Sequence, residues 1–177
     1  MKLFKNLKLF KDCTALIDDN NKIKISYMDI RNNSKALSKK VKNKKLILII
    51  AENTLGSILS YIYAVINNYI IIFVDSNLKK NEINKTINNY KPNFIVTNEK
   101  KLSILNRKYS KIFNTFKNVY FFKTNYKICK CHKKLSLLLP TSGTIGNNKY
   151  VKLSSNNIYQ NTISIIKYLK ISKKDVA

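Results

Sequence analysis

This sequence predicts an α/β fold with a parallel sheet, on three grounds. Short, β-branched apolar runs recur at Lys45 to Ile50, Tyr69 to Val74 and Pro92 to Asn98. The segments between them carry apolar residues at helical spacing. Crossovers of that length belong to βαβ units, which set strands parallel and lay helices on the sheet faces.

Taken in order, "TALIDDNNKIKIS" reads as a short hairpin leading into a helix. That helix opens on a capping box, with Ser26 accepting from the amide of Asp29 and the Asp29 carboxylate reaching back. Tyr27, Ile30, Ser34, Leu37 and Val41 then share one helical face. "KLILII" is the first buried strand. In "TLGSILSYIYAVI", Leu55, Ile58, Leu59, Ile62, Val65 and Ile66 follow the i, i+3, i+4, i+7 pattern of a second helix. Asn67 and Asn68 end it, because asparagine tolerates the left-handed conformation that stops helices. "YIIIFV" is the second strand. A third helix buries Ile83, Ile87 and Tyr90, and "PNFIVTN" is the third strand. Residues 20–98 thus form the βαβ region. Glu99 to Lys117 reads as helix and loop, Asn118 to Phe122 as a further strand, and Leu135 to Leu139 as a strand halted by Pro140.

Composition narrows the function classes. Hydrophobic residues make up 45 %, which is globular and not disordered composition. The formal charge is +25, from 34 Lys plus Arg against 9 Asp plus Glu. Only Arg31 and Arg107 are arginine, and the lysines are spread from end to end. Base and phosphate readers favour arginine for its bidentate fork, so no specific nucleic-acid binding is expected. The abundance of Lys, Asn and Ile instead fits drift in an AT-rich coding sequence. Thr54 to Val74 is uncharged and long enough to cross a bilayer, but the Asn67-Asn68 pair and the change of period argue for a helix followed by a strand. The odd count of three cysteines and the lysine-broken N-terminus point to a reduced, cytoplasmic protein. "CKCHKK" groups Cys129, Cys131 and His132, but its spacing and ligand number miss a structural zinc site.

Two of the three glycines fall in one stretch, "PTSGTIGNNKYVKLSSNN", residues 140–157. Thr141, Ser142 and Thr144 supply hydroxyl donors. Gly143 and Gly146 let successive backbone amides turn into one anion-binding concavity, and Lys149 adds a cation at the far end. No carboxylate interrupts the set. A loop of this kind after a strand suits a polyphosphate, although its spacing is not that of a P-loop. An ordinary turn between "LSLLL" and "KYVKL" would account for the glycines alone.

The same stretch resembles the signature loop of the AMP-dependent synthetase and ligase superfamily, the adenylate-forming enzymes. That pattern runs Thr-Ser-Gly-Thr-Thr-Gly, any residue, Pro-Lys, any residue, Val, then Leu-Ser-His and an Asn. Thr141, Ser142, Gly143, Thr144, Gly146, Lys149, Val151, Leu153, Ser154 and Asn157 match it in register. The order of elements from Ala15 to Ala177 is also similar. Three positions depart: Ile145 for a threonine, Asn148 for the proline, and Ser155 for the histidine.

The resemblance implies that residues 1–177 form part of the N-terminal domain of such an enzyme. It implies ATP as cosubstrate, its phosphates held by Thr141, Ser142, Gly143, Thr144, Gly146 and Lys149. It implies Mg²⁺ as well, with ligands expected outside this chain, and no catalytic residue within it. The partners implied are a carboxylic or amino acid and a thiol, either coenzyme A or a carrier-protein phosphopantetheine. The family's later motifs and lid are absent, so the chain alone is expected to be inactive. Alternatives of another class are a degenerate non-catalytic remnant or a subunit completed by a separate chain and, ranked below these, a basic nucleic-acid-binding protein read from the +25 charge alone.

Overall fold

The computed structural model describes residues 4, 6–102, 105, 109–127, 131–141, 149–172 and 175. After a 3-10 turn at Leu7–Phe10, β1 (Thr14–Asp18) and β2 (Ile23–Ser26) pair as an antiparallel hairpin. Ser26 then caps α1 (Tyr27–Lys40): its hydroxyl accepts from the Asp29 amide at 3.0 Å, and the Asp29 carboxylate accepts the Ser26 amide at 2.9 Å. The Ser26 hydroxyl also donates to the Asp29 carboxylate at 2.6 Å, and this bond first, then that from the Ser26 amide, holds the Asp29 carboxyl below its ordinary pKa. Ile30, Ser34, Leu37 and Val41 are buried along the predicted face.

The centre of the molecule is a seven-stranded sheet in the order β6-β7-β5-β3-β4-β8-β9. Its strands are β3 (Leu46–Ala51), β4 (Ile70–Asp75), β5 (Phe94–Asn98), β6 (Ser110–Phe116), β7 (Val119–Lys123), β8 (Leu135–Pro140) and β9 (Tyr150–Ser154). The β3–β4, β3–β5 and β4–β8 pairings are parallel. At both flanks the pairing turns antiparallel, through β7 on β5, β6 on β7, and β9 on β8. The predicted parallel sheet is therefore its inner four strands, and the whole is mixed.

Two cores lie on its two faces. Ile47, Ile49, Ile71, Val96 and Leu137 point to the face covered by α1 and α2 (Leu55–Ile66). Leu48, Ile50, Ile72, Ile95 and Leu138 point to the face covered by α3 (Lys80–Tyr90). Burial on both faces leaves no polar alternation, and this is why the strands read as continuous apolar runs.

The uncharged stretch from Thr54 to Val74 divides as its period suggests. α2 ends at Asn67, Asn68 takes a left-handed φ of 56°, and β4 follows. Among the described residues no helix is long and apolar enough to cross a membrane. Burial of α2 is wider than one stripe, taking in Gly56, Ser57, Ser60, Tyr63 and Ala64, while Ile58 stays 42 % exposed. The reason is a second neighbour: β6 and β7 press on α2, with Ser60 Oγ against Thr115 Oγ1 at 3.1 Å.

The expectation of helix and loop from Glu99 to Lys117 needs correction. Among the described residues α4 (Glu99–Leu102) is the α-helical part, and β6 follows as an edge strand. Register shifts at Lys111/Phe113 and Asn114/Phe116 break its alternation, which hides the strand from a period-2 reading.

Gly56 reports how tightly these parts meet. A Cβ there would stand 2.6 Å from Val119 Cγ2, closer than packed carbons tolerate. Gly56→Ala is expected to destabilise the fold by about 1–3 kcal/mol through overpacking, offset in part by the better helix propensity of alanine. Adding Val119→Ala should return much of the loss. Urea denaturation of the two single variants and the double variant checks this, and additive losses would refute it.

Candidate functional site: a hairpin neck at the carboxyl end of a parallel strand

β8 runs parallel to β4 and delivers the chain to the carboxyl edge of the sheet, where ligands of open α/β folds bind. There it turns back as β9. Pairs Leu139↔Val151 and Pro140↔Tyr150 continue the ladder to its tip. Beyond them the Thr141 amide donates to the Lys149 carbonyl at 2.9 Å, and the Thr141 hydroxyl donates to the same oxygen at 3.1 Å. The two residues at the ends of the predicted loop thus meet in a closed neck. Ser142, Gly143, Thr144 and Gly146, also assigned to the site from sequence, lie outside the described residues, as do Ile145, Asn147 and Asn148.

The neck assigns Thr141 a role that sequence reasoning missed. In this structure its hydroxyl donates to the Lys149 carbonyl, so Thr141 holds the loop's ends together. Lys149 is exposed and, among the described residues, pairs with no carboxylate. The sequence has no Asp or Glu between Glu99 and Asp175, so β8, the loop, β9 and the helix that follows carry only positive charge.

Tyr150 fixes the neck to the helical layer. Its ring meets Tyr90 of α3 edge-on at 5.1 Å, and its hydroxyl lies 3.5 Å from Thr86 Oγ1. Burial, and secondarily Tyr150, raises the pKa of Tyr90. On the far side, Ser154 and Asn157 form the capping box of α5 (Ser155–Tyr168): the Ser154 amide donates to Asn157 Oδ1 at 2.9 Å, and the Asn157 amide to Ser154 Oγ at 3.1 Å. These two matched positions are therefore a helix start. Ser155, which stands where the resembling pattern has histidine, places its hydroxyl 2.6 Å from Ser136 Oγ of β8.

A second feature of this edge was not foreseen. A cavity of about 930 Å³ opens at the carboxyl ends of β3 and β5, lined in part by Asp18, Asn21, Glu52, Thr54, Asn98 and Lys117. Its four carboxylates are engaged: Asp18 accepts from Asn21 at 2.7 Å, Asp19 pairs with Lys22 at 2.8 Å, Glu52 pairs with Lys101 at 3.0 Å, and Asp175 accepts the Ser172 amide at 2.5 Å. The loop neck does not line it, and β4 stands between the two. The run Asp18-Asp19-Asn20-Asn21, a polar turn beside a parallel strand end, was the available sequence signal. In "CKCHKK", Cys129 lies outside the described residues, Cys131 packs against the α3-side core, and His132 Nδ1 accepts the Lys134 amide at 3.3 Å.

The architecture has known counterparts. The chain has the fold of the N-terminal portion of adenylate-forming enzymes. O-succinylbenzoate coenzyme A synthetase (MenE) from Bacillus subtilis, in complex with AMP, superposes with a TM-score of 0.67 at 14 % identity, over 95 % of this chain and 45 % of that one. ATP-bound MatB from Rhodopseudomonas palustris gives 0.68 at 15 % identity, over 97 % and 38 %. The luciferase-like enzyme of the nonluminescent mealworm Zophobas morio gives 0.66 at 14 % identity, over 93 % and 44 %. This chain thus spans less than half the length of each. No family model matches the sequence, and no curated protein does.

Proposed function

We propose that this chain is the phosphate-gripping N-terminal part of an ATP-dependent, carboxylate-activating ligase. One observation carries the reading: the hydroxyl- and glycine-rich loop leaves and rejoins the sheet at a closed neck, Thr141 to Lys149, at the carboxyl end of a parallel strand. The likeness to enzymes solved with AMP and ATP supports it.

In the reaction that the resemblance implies, a carboxylate oxygen attacks the α-phosphorus of ATP. Acyl-AMP forms and pyrophosphate leaves, and a thiol such as coenzyme A or a carrier phosphopantetheine then takes the acyl group. Pyrophosphate leaves with negative charge to be stabilised, and preorganised donors at that point lower the barrier. The contribution of this chain is to hold the β and γ phosphates. The hydroxyls of Ser142 and Thr144 and the amides around Gly143 and Gly146 donate to phosphate oxygens. Lys149 offsets charge at the neck, and Thr141 keeps the loop's ends together.

No Mg²⁺ ligand is assigned to this chain: the loop's sequence holds no carboxylate, and among the described residues no three His, Cys, Asp or Glu side chains gather. No step is assigned through it here. The resemblance implies that acid-binding and lid functions lie outside these residues, supplied by a separate polypeptide or by further sequence; the chain spans 45 % of the synthetase it superposes on. The odd number of cysteines and the lysine-broken N-terminus support a cytoplasmic setting.

A second reading is a degenerate remnant. Ile145, Asn148 and Ser155 favour it, since Ile145 removes a donor and Asn148 loosens the approach to Lys149.

Isothermal titration with ATP and with pyrophosphate tests the grip. Lys149→Ala should weaken both by about tenfold, the scale of one lost charge-assisted contact, while Lys152→Ala should leave them within about twofold. Equal losses at both positions would mean bulk charge attraction. The 177-residue chain should also give no carboxylate-dependent exchange of labelled pyrophosphate into ATP. Exchange above background with any acid would show a complete active site.

A further inference from the structure

The ladder that joins β8 to β4 is short. Ile71 pairs with Leu137 and Ile72 with Leu138, and the described register goes no further, although β4 continues to Asp75. Leu139, Pro140 and Thr141 run on past the last of these pairs. At about 3.3 Å per residue, the neck stands roughly 10 Å beyond it. The tip of the β8–β9 hairpin is therefore held to the body of the molecule by side chains. On the α1–α2 side Leu139 packs against the core. On the α3 side the contact is Tyr150, which is half-buried against the core that contains Ile83 and Ile87 and meets the Tyr90 ring edge-on at 5.1 Å.

The ring makes this seat, and the hydroxyl adds little. Thr86 Oγ1 donates to the Glu82 carbonyl at 3.1 Å, so the Tyr150 hydroxyl can meet it only as a donor. Their separation of 3.5 Å is well beyond the usual O–H···O distance of about 2.7–2.8 Å, so that contact is weak. An edge-on ring pair contributes beyond the area it buries. The seat reaches the neck through one peptide bond. The carbonyl that accepts both Thr141 donors belongs to the planar unit joining Lys149 to Tyr150. Fixing the Tyr150 ring limits how that plane can turn, and so keeps the acceptor oxygen aimed at Thr141. We infer that Tyr150, seated on Tyr90 of α3, is a positioning residue of the loop: it holds the Thr141–Lys149 neck closed and thereby sets the affinity of the loop for a polyphosphate. The effect on affinity rests on the proposed function. Closure of the neck does not, and it is measured without ligand.

Hydrogen exchange of the Thr141 amide, followed by NMR on the full chain, reads closure directly, because that amide is bonded to the Lys149 carbonyl. Tyr150→Ala should speed this exchange about tenfold and weaken pyrophosphate binding, measured by isothermal titration, by a similar factor, the scale of one lost ring pair and its buried area. Tyr150→Phe keeps the ring and should leave both within about twofold. Tyr90→Ala should act as Tyr150→Ala does, although it alters no residue of the hairpin, and it decides the matter should Tyr150→Ala fail to fold. Leu135→Ala controls for a general loss of packing, since Leu135 lies at the far end of the same hairpin against the same core. It should lower the melting temperature yet leave Thr141 exchange and pyrophosphate affinity within about twofold, as distant sites act independently. Unchanged Thr141 exchange in the two tyrosine-to-alanine variants, or a loss in Tyr150→Phe equal to that in Tyr150→Ala, would overturn the inference. So would an equal effect of Leu135→Ala, or faster exchange with pyrophosphate affinity unmoved. A wild-type chain that binds no pyrophosphate overturns the proposed function instead, and Thr141 exchange then still decides whether Tyr150 closes the neck.

Discussion

Placing β3 between β4 and β5 is the constraint on which the rest of the molecule depends. Leu46, Ile47, Leu48, Ile49 and Ile50 are all buried, alternately toward the two cores. Full burial of such side chains stabilises by roughly 1.5–3 kcal/mol each, so this strand can exist only with helices on both of its faces. α2 supplies one cover and α3 the other, as the crossovers out of β3 and β4 go to opposite faces. With the faces occupied, new strands can be added only at the flanks. β8 joins beside β4, and its parallel direction carries the chain to the edge where loops are free to bind ligands. The position of the loop that follows β8 is thus a consequence of how the central strand is buried.

Glycine use follows the same economy. Outside the loop the chain keeps one glycine, Gly56, and keeps it where Val119 leaves no room for a Cβ. Left-handed backbone elsewhere is taken by Lys22, Asn43, Asn68, Lys91, Lys117 and Lys170. A chain that places lysine and asparagine in such turns does not need glycine to make a hairpin. On the proposed reading, the two glycines between Thr141 and Lys149 in the sequence serve amides that approach a phosphate.

The parts legible in the sequence are those whose signal is local. The Ser26–Asp29 capping box, the Asn68 stop and the three apolar runs each follow from a few adjacent residues, and each stands as read. β6 was not legible because its bulges spoil the alternation and its stability comes from β7 and α2, distant in sequence. Ile58 misled for a related reason: helical period gives the mean direction of a face, and the second neighbour of α2 rotated the buried arc toward Ser57, Ser60 and Ala64. At the site, residue types pointed to phosphate chemistry, whereas the division of labour needed coordinates. The pattern alone could not show that Thr141 closes the neck or that Ser154 and Asn157 start a helix.

That the loop between Thr141 and Lys149 is an anion grip can be tested through glycine amides. Labelling glycine alone with ¹⁵N gives a spectrum of three signals, from Gly56, Gly143 and Gly146, with Gly146→Ala as the assignment control. On titration with pyrophosphate, this account predicts that the Gly143 and Gly146 signals move along one saturating curve while that of Gly56, packed under Val119, stays in place. Three stationary signals, or three drifting together with ionic strength, would contradict it.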